Sequence, residues 1–279
     1  MNQTTPAKLS ENEAELSLLL RASFPLICVV SHEEMRVEES TAKVCADENR
    51  KRAARGKPRR AVLRWSLTQG MVRVGKEERA DSACDNPLKA LKYIAEYTQP
   101  AVFILRDFFQ FLGKSNYVVE RTLRDLAQAL TSTSRSCTII LVDTKLDLPE
   151  RLEKLATVLD WSLPSREELD DTLRPKVENA TSVAGKTPEE IDDLMSAGVE
   201  SAVGLTRIEV LNVFAKSLVA TQTLTPRVIV EEKKAIVRKS GVLEFYHVDY
   251  DLGAVGGLDN LKGWLRARGK AFSNDAREY

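Results

Sequence analysis

Short apolar runs alternate with amphipathic stretches over the first 160 residues. The runs at 25–30, 61–66, 101–106, 137–142 and 158–161 are rich in Val, Ile and Leu, as expected of strands covered on both faces. Between them, Val37, Thr41, Val44 and Cys45 fall at helical spacing on one stripe, and Val119, Leu123, Leu126, Ala127 and Leu130 form a second. Strands separated by such helices predict a parallel, doubly wound sheet. Beyond Pro164 the strand signal stops. Three capping boxes then open successive helices: Ser165 with Glu168, Thr187 with Glu190 (Pro188 at the first helical position), and Thr206 with Glu209. The pattern therefore predicts an α/β fold: a parallel sheet with flanking helices over 1–163, followed by a small all-helical region from 164.

Composition narrows the class. With 279 residues, 43% of them hydrophobic, the chain is long enough to bury a substantial core. Lys plus Arg and Asp plus Glu number 41 each, so overall charge favours neither nucleic acid nor a membrane surface. The longest apolar runs, 24–30 and 101–105, are far shorter than the roughly 20 residues of a spanning helix. The first ten residues are polar, without the basic start and apolar middle of a secretory signal, so a cytoplasmic location is expected. Cys28, Cys45, Cys84 and Cys137 stand singly, which predicts reduced, mostly buried thiols. His32 and His247 have no spacing that would complete a zinc site, and no metal is expected.

One segment breaks the regular pattern. The stretch 47–60 contains Arg50, Lys51, Arg52, Arg55, Lys57, Arg59 and Arg60 and reads as a basic insertion. It is the only candidate for contact with nucleic acid. The lack of interleaved aromatic residues, the acids Asp47 and Glu48, and the turn residues Gly56 and Pro58 favour a solvated loop instead.

In a doubly wound sheet the ligand site lies beyond the carboxyl ends of the strands, and the loop after the first strand would hold phosphates. Here that loop is Ser31-His32-Glu33-Glu34, without the glycines and lysine of a phosphate loop. Ser31 and Glu34 instead match a capping box, and Glu33 and Glu34 place negative charge at a helix N-terminus. A metal-holding or base role for the two glutamates is the weaker reading, because first-turn acids mostly stabilise the helix dipole. The third strand ends in Arg106-Asp107-Phe108, placing Asp107 where a carboxylate helps hold magnesium in a working ATPase. Phe108 then takes the place of the acid that would polarise water. The fourth strand ends in Asp143 and Thr144, which could sense a γ-phosphate or simply close the strand.

These features, in this order with Leu148-Pro149-Glu150-Arg151-Leu152, Leu163-Pro164 and Gly204-Leu205-Thr206, resemble an AAA+ module. The tail Leu252-Gly253-Ala254-Val255-Gly256-Gly257-Leu258-Asp259 resembles the lead-in to a second AAA module, with Ala254 departing from its usual acid. Phe24-Pro25-Leu26-Ile27, Ser31-His32-Glu33-Glu34, Glu231-Glu232-Lys233-Lys234 and Arg238-Lys239-Ser240-Gly241 are similar to an AAA+ ATPase family of cyanobacteria and algal plastids. That resemblance implies a degenerate first AAA+ module with a P-loop-like parallel sheet over 1–163 and a small all-helical lid over 164–240, then a linker and entry segment over 241–279 leading to a second module that binds ATP and magnesium and hydrolyses ATP. Under it, Asp107 is a vestigial Walker B acid, Asp143 and Thr144 mark a vestigial sensor position, and Gly256 and Gly257 contact nucleotide only where a catalytic module follows. It also implies that the sequence stops before that module, and that this chain has no cofactor or catalytic residue of its own.

Three functions fit the sequence. The first is a non-catalytic regulatory or assembly region acting on an ATP-hydrolysing AAA module. The second is a protein-interaction scaffold using the lid helices, the helix around 231–240 or the basic stretch. The third is a nucleotide binder using Asp107 and Thr144. A largely monomeric chain is expected. The tail 246–279, with apolar residues including Tyr246, Trp264 and Phe272, is expected to pack poorly; Phe245 precedes it.

Overall fold

The computed structural model describes residues 9–75, 78–81, 84–113, 116–132, 136–179, 185–239, 253 and 256–269, with backbone alone at 78–81, 239 and 269. The chain forms two compact units, one of Met1–Thr172 with Val203–Leu211, the other of Leu173–Ala202 with Asn212–Tyr279.

The first unit holds helices α1 (Glu11–Arg21), α2 (Glu34–Ala53), α3 (Pro87–Glu96), α4 (Tyr117–Ser132) and α5 (Glu150–Glu153). Its strands are β1 (Leu26–Val30), β2 (Ala61–Ser66), β3 (Gly70–Arg73), β4 (Glu78–Asp81), β5 (Ala101–Arg106), β6 (Cys137–Asp143) and β7 (Ala156–Asp160), in the order β4-β3-β2-β5-β6-β1-β7. The five strands from β2 to β7 pair in parallel, as their apolar runs predict. The sheet is not wholly parallel, however. β2, β3 and β4 form an antiparallel edge that the sequence reading did not include. The β2–β3 hairpin closes over 67–69, with the Gln69 N–H donating to the Ser66 carbonyl and Gly70 at φ +68°, where a glycine carries no Cβ strain. β3 and β4 have four residues each, too few to establish a period of two.

Alternation along the strands builds two cores. Leu26, Cys28, Phe103, Leu105, Ile139 and Leu141 face one way, packed with Leu91 and Ile94 of α3 and Leu123 and Leu130 of α4. Ile27, Val29, Val102, Ile104, Ile140 and Val142 face the other way, packed with Leu16 and Leu20 of α1 and Val37 and Val44 of α2. Both predicted stripes are buried, and so are all four cysteines. Burial pushes the Cys28 and Cys45 thiols up to about 12, so neither is a reactive thiolate. α1 also went unread, although Ser10 and Glu13 cap it reciprocally.

Four helices follow: α6 (Arg166–Glu178), α7 (Pro188–Ala202), α8 (Arg207–Thr221) and α9 (Pro226–Lys239), then α10 (Asp259–Gly269). α6, α7 and α8 begin at the three predicted capping boxes, each with both reciprocal bonds formed. In the second unit Met195, Val199, Phe214, Leu224 and Ile229 are buried, and a Cβ at Gly198 would stand 3.0 Å from the Phe214 ring, so glycine permits that close approach. Among the tail residues singled out from sequence, Phe245, Tyr246 and Phe272 lie outside the described residues. Trp264 is exposed, as is most of α10.

Candidate functional site

The loops after β1 and β6 leave neighbouring strands in opposite directions, which creates the crevice where doubly wound sheets hold ligands. The sequence-predicted residues of the first unit meet at this edge. The Ser31 N–H donates to the Asp143 carbonyl at 2.8 Å, and the Asp107 N–H donates to the Val142 carbonyl at 3.0 Å. Asp143 is buried, and its carboxylate accepts from the Thr144 N–H at 2.7 Å, so it closes its own turn. Asp107 is exposed in the left-handed region at φ +51°, a conformation aspartate tolerates better than most residues. It starts the 3-10 turn Phe108–Phe111, which drives Phe108 fully inside. There Phe108 meets Trp65 and Phe111 edge-on at centroid distances of 5.6 and 6.0 Å. The position following the strand-end acid thus belongs to an aromatic core.

The loop after β1 differs from the expected capping box. Glu33, not Ser31, is the N-cap of α2, and the Ser31 hydroxyl accepts from the Glu33 N–H at 3.0 Å. Glu34 has turned to Arg106, 3.3 Å away. Loss of water around Glu34 raises its pKa above the ordinary carboxylate value; Arg106 opposes this, while Asp107, Glu38 and Asp143 add to it. Arg106 also donates to Glu38, which lies 3.8 Å from Arg64. Acids from α2 and cations from β2 and β5 therefore pair across the top of the sheet.

Glu33 is 5% exposed. One of its oxygens accepts from Arg36 Nη1 at 3.0 Å, the other from the Arg207 backbone N–H at 2.6 Å. Arg36, 4% exposed, also donates to the Ser162 carbonyl at 2.7 Å and to Glu168 at 2.8 Å. Arg207 in turn pairs with Glu39. The Glu33 carboxylate thus stands between two helix starts, beside the first turn of α2 and capping a free N–H of α8. Sequence reasoning missed Arg36, Glu38, Arg106, Glu168 and Arg207 as members of this network. The available signal was two pairs at helical spacing, Glu33 with Arg36 and Glu34 with Glu38, flanking the buried Val37 and Thr41.

A triphosphate needs converging N–H donors and a cation to reach its outer phosphates. In this loop the Ser31 and Glu33 N–H groups are already bonded, and Arg36 and Arg106 are held by glutamates. Glu33, Glu34, Glu38, Asp107 and Asp143 would repel the anion. Among the described residues no group of three or more His, Cys, Asp and Glu could hold a metal. The residues at this edge therefore do not fit ATP with magnesium. Gly256 and Gly257 are exposed in the second unit, with open space where a Cβ would stand. No helix among the described residues is long and apolar enough to cross a membrane.

Comparison with known proteins places the chain in a lineage. The chain is 30% identical to the AAA domain-containing protein ycf46 of Guillardia theta, over 95% of this chain and 49% of that protein. It is 29% identical to its counterpart from Trieres chinensis, over 95% of this chain and 50% of that one. The chain therefore spans about half the length of these relatives. Among solved structures, Trip13 in the E. coli MS115-1 HORMA:CdnC:Trip13 complex matches at TM-score 0.49 and 12% identity, covering 85% of this chain and 89% of that one. The FIGL-1 AAA domain in complex with ADP matches at TM-score 0.47 and 10% identity, covering 96% and 91%. Residues 166–240 match the model of the SpoVK-like AAA ATPase second domain, and residues 12–161, more than half of the chain, match that of the N-terminal domain; the chain belongs to the SpoVK-like AAA ATPase family.

Proposed function

We propose that this chain is a non-catalytic region of an AAA ATPase-family protein, regulating or assembling an ATP-hydrolysing AAA module outside the residues described. The observation that carries this reading is the buried Glu33 carboxylate, clamped by Arg36 and the Arg207 N–H at the helix start where a phosphate would otherwise sit. Phe108, sealed in the aromatic core, supports it by removing the base that hydrolysis requires. On this reading the first unit is a degenerate AAA module, residues 164–240 are its helical lid and 241–279 its linker. The partner is the catalytic module or another protein, and ATP and magnesium belong to the catalytic half.

The test has two arms. Magnesium-ATP is titrated into the chain and into an Asp107→Asn variant while phosphate release is followed. The expected result is no hydrolysis and no binding that depends on Asp107. Hydrolysis, or micromolar binding removed by Asp107→Asn, overturns the reading. In the second arm the chain is added to the other half of the Guillardia theta relative, and a change in that half's ATPase rate or oligomeric state is expected. If the added half hydrolyses ATP identically with and without the chain and does not associate with it, the regulatory role fails.

A further inference from the structure

The basic stretch is in part the solvated loop its sequence predicts, with residues 54–59 exposed in turn and irregular backbone, and its two ends differ from that expectation. Its first residues, Arg50, Lys51 and Arg52, form the last turn of α2, where cations favour the negative helix end. Its last residue, Arg60, is only 6% exposed. Asn49 of α2 fixes it through both backbone groups, accepting from its N–H at 2.7 Å and donating to its carbonyl at 2.9 Å. The Arg60 Nε is buried without a hydrogen-bond partner. Burial, and next the nearby Arg52, push its pKa down, and Cys45, Glu48 and Cys137 oppose this without reversing it.

Arg60 lines a cavity of about 420 Å³ together with Arg21, Lys51, Arg52, Arg55 and Lys57, against a single carboxylate, Glu48. Not all of these cations are available. Lys51 is held by Asp47 and Glu48 at 2.7 and 3.1 Å, and Arg52 donates to the Pro58 carbonyl at 2.8 Å. Glu48 is further occupied by the Ser17 hydroxyl. Among the described residues, the side chains of Arg21, Arg55, Lys57 and Arg60 have no hydrogen-bond or ion-pair partner. Helix-dipole compensation accounts for Arg21, Lys51 and Arg52, which sit in last turns. It does not account for an unpaired guanidinium buried at the start of a strand. Such a group is costly to desolvate, and it suits a site that an anion completes.

We propose that this cavity binds a compact phosphate anion carrying two or more negative charges, with Arg60 as the buried anchor and Arg21, Arg55 and Lys57 closing around it. The guanidinium fork matches phosphate oxygens in pairs. The cavity is open to solvent and has room for one or two phosphate groups, and no aromatic side chain lines it to stack a base. The site is separate from the edge described above. Arg60 precedes β2 at the amino end of the parallel strands, whereas Asp107 and Asp143 lie at their carboxyl ends, a six-residue strand of about 20 Å away.

The experiment is calorimetric titration of the whole chain with inorganic pyrophosphate at low salt. Saturable one-to-one binding is expected, weakened at least tenfold in Arg60→Met. Because Arg60 is buried, a second variant, Arg55→Gln with Lys57→Gln, changes only exposed residues and should weaken binding at least threefold at an unchanged melting temperature. Absence of binding to the parent chain, or equal affinity in the double variant, overturns the proposal. ATP distinguishes a free anion from a nucleotide tail: equal loss with Arg60→Met and no tighter binding than pyrophosphate assigns the site to the phosphates alone. ATP binding that depends on Asp107 instead belongs to the carboxyl-end site and leaves this proposal to stand or fall on the pyrophosphate result. A single-stranded oligonucleotide that outcompetes pyrophosphate regardless of Arg60 overturns the compact site in favour of an extended nucleic-acid surface.

Discussion

At the scale of single residues, the edge of the sheet is governed by which charges are paired out of water. Arg36 is buried with Glu33, Glu168 and the Ser162 carbonyl as partners, so its positive charge is matched in a low-dielectric setting. Removing one member of such a network leaves the others uncompensated, at a cost of about 3–5 kcal/mol. Arg36→Met is accordingly expected to lower unfolding free energy by that amount in urea titration, and Glu33→Gln added to Arg36→Met to recover part of the loss. Additive losses in the double variant would mean the two side chains are not coupled. Glu34 behaves oppositely, because loss of water outweighs its pairing with Arg106. Its folded-state pKa lies above the ordinary value of 4.5, so between those values the folded chain binds the extra proton and stability falls as pH rises. Above that window Glu34 is charged in both states and the destabilisation is complete. Glu34→Gln should therefore be more stable than the parent at pH 7, with an advantage that shrinks as pH falls toward 4.5. A parent chain more stable than the variant at pH 7 would mean that the Arg106 pair outweighs burial.

At the scale of elements, what could be read from sequence was what depends on local periodicity. The five parallel strands show as apolar runs because both of their faces are covered, and α6, α7 and α8 show because their caps lie within four residues of one another. The β3–β4 edge was hidden because four-residue strands carry too little alternation, and the turn at Gly70, which pairs β3 with β2, is a tertiary choice that periodicity does not report. The Ser31 capping box failed for a tertiary reason. Residues distant in sequence, Arg106 and Arg207, compete for Glu34 and Glu33, and no local rule includes them. The same limit applied to the basic stretch: its composition suggested a loop, but Asn49 and the start of β2 carry Arg60 inward. Asp107, Asp143 and Thr144 could be located from sequence because the fold fixes where strands end. The network that surrounds them could not, since it is assembled across elements.

At the scale of the molecule, the distribution of buried surface predicts how the chain opens. β1, β5 and β6 are central in the sheet, paired on both sides and covered on both faces by nearly fully buried residues. Their amides can exchange only when both cores are lost, so protection there should approach the global unfolding free energy. β4 is paired on one side alone and belongs to the antiparallel edge, where opening breaks only the ladder to β3. α10 lies at the other extreme. It has eleven residues, Trp264 is 56% exposed, and Leu261 and Leu265 are exposed as well. An isolated helix of that length is marginal in water, and the cation over the Trp264 ring, Arg268, adds little at an exposed site. Native-state hydrogen exchange should therefore order the elements as β1, β5 and β6 slowest, β4 intermediate and α10 fastest, with α10 amides near the unprotected rate. Strong protection in α10 would require a surface that covers Leu261, Trp264 and Leu265, and would identify that helix as a docked element. If adding the half of a relative that this chain does not match slows exchange in α10 while leaving β6 unchanged, the covering surface lies on that half, as the regulatory reading requires.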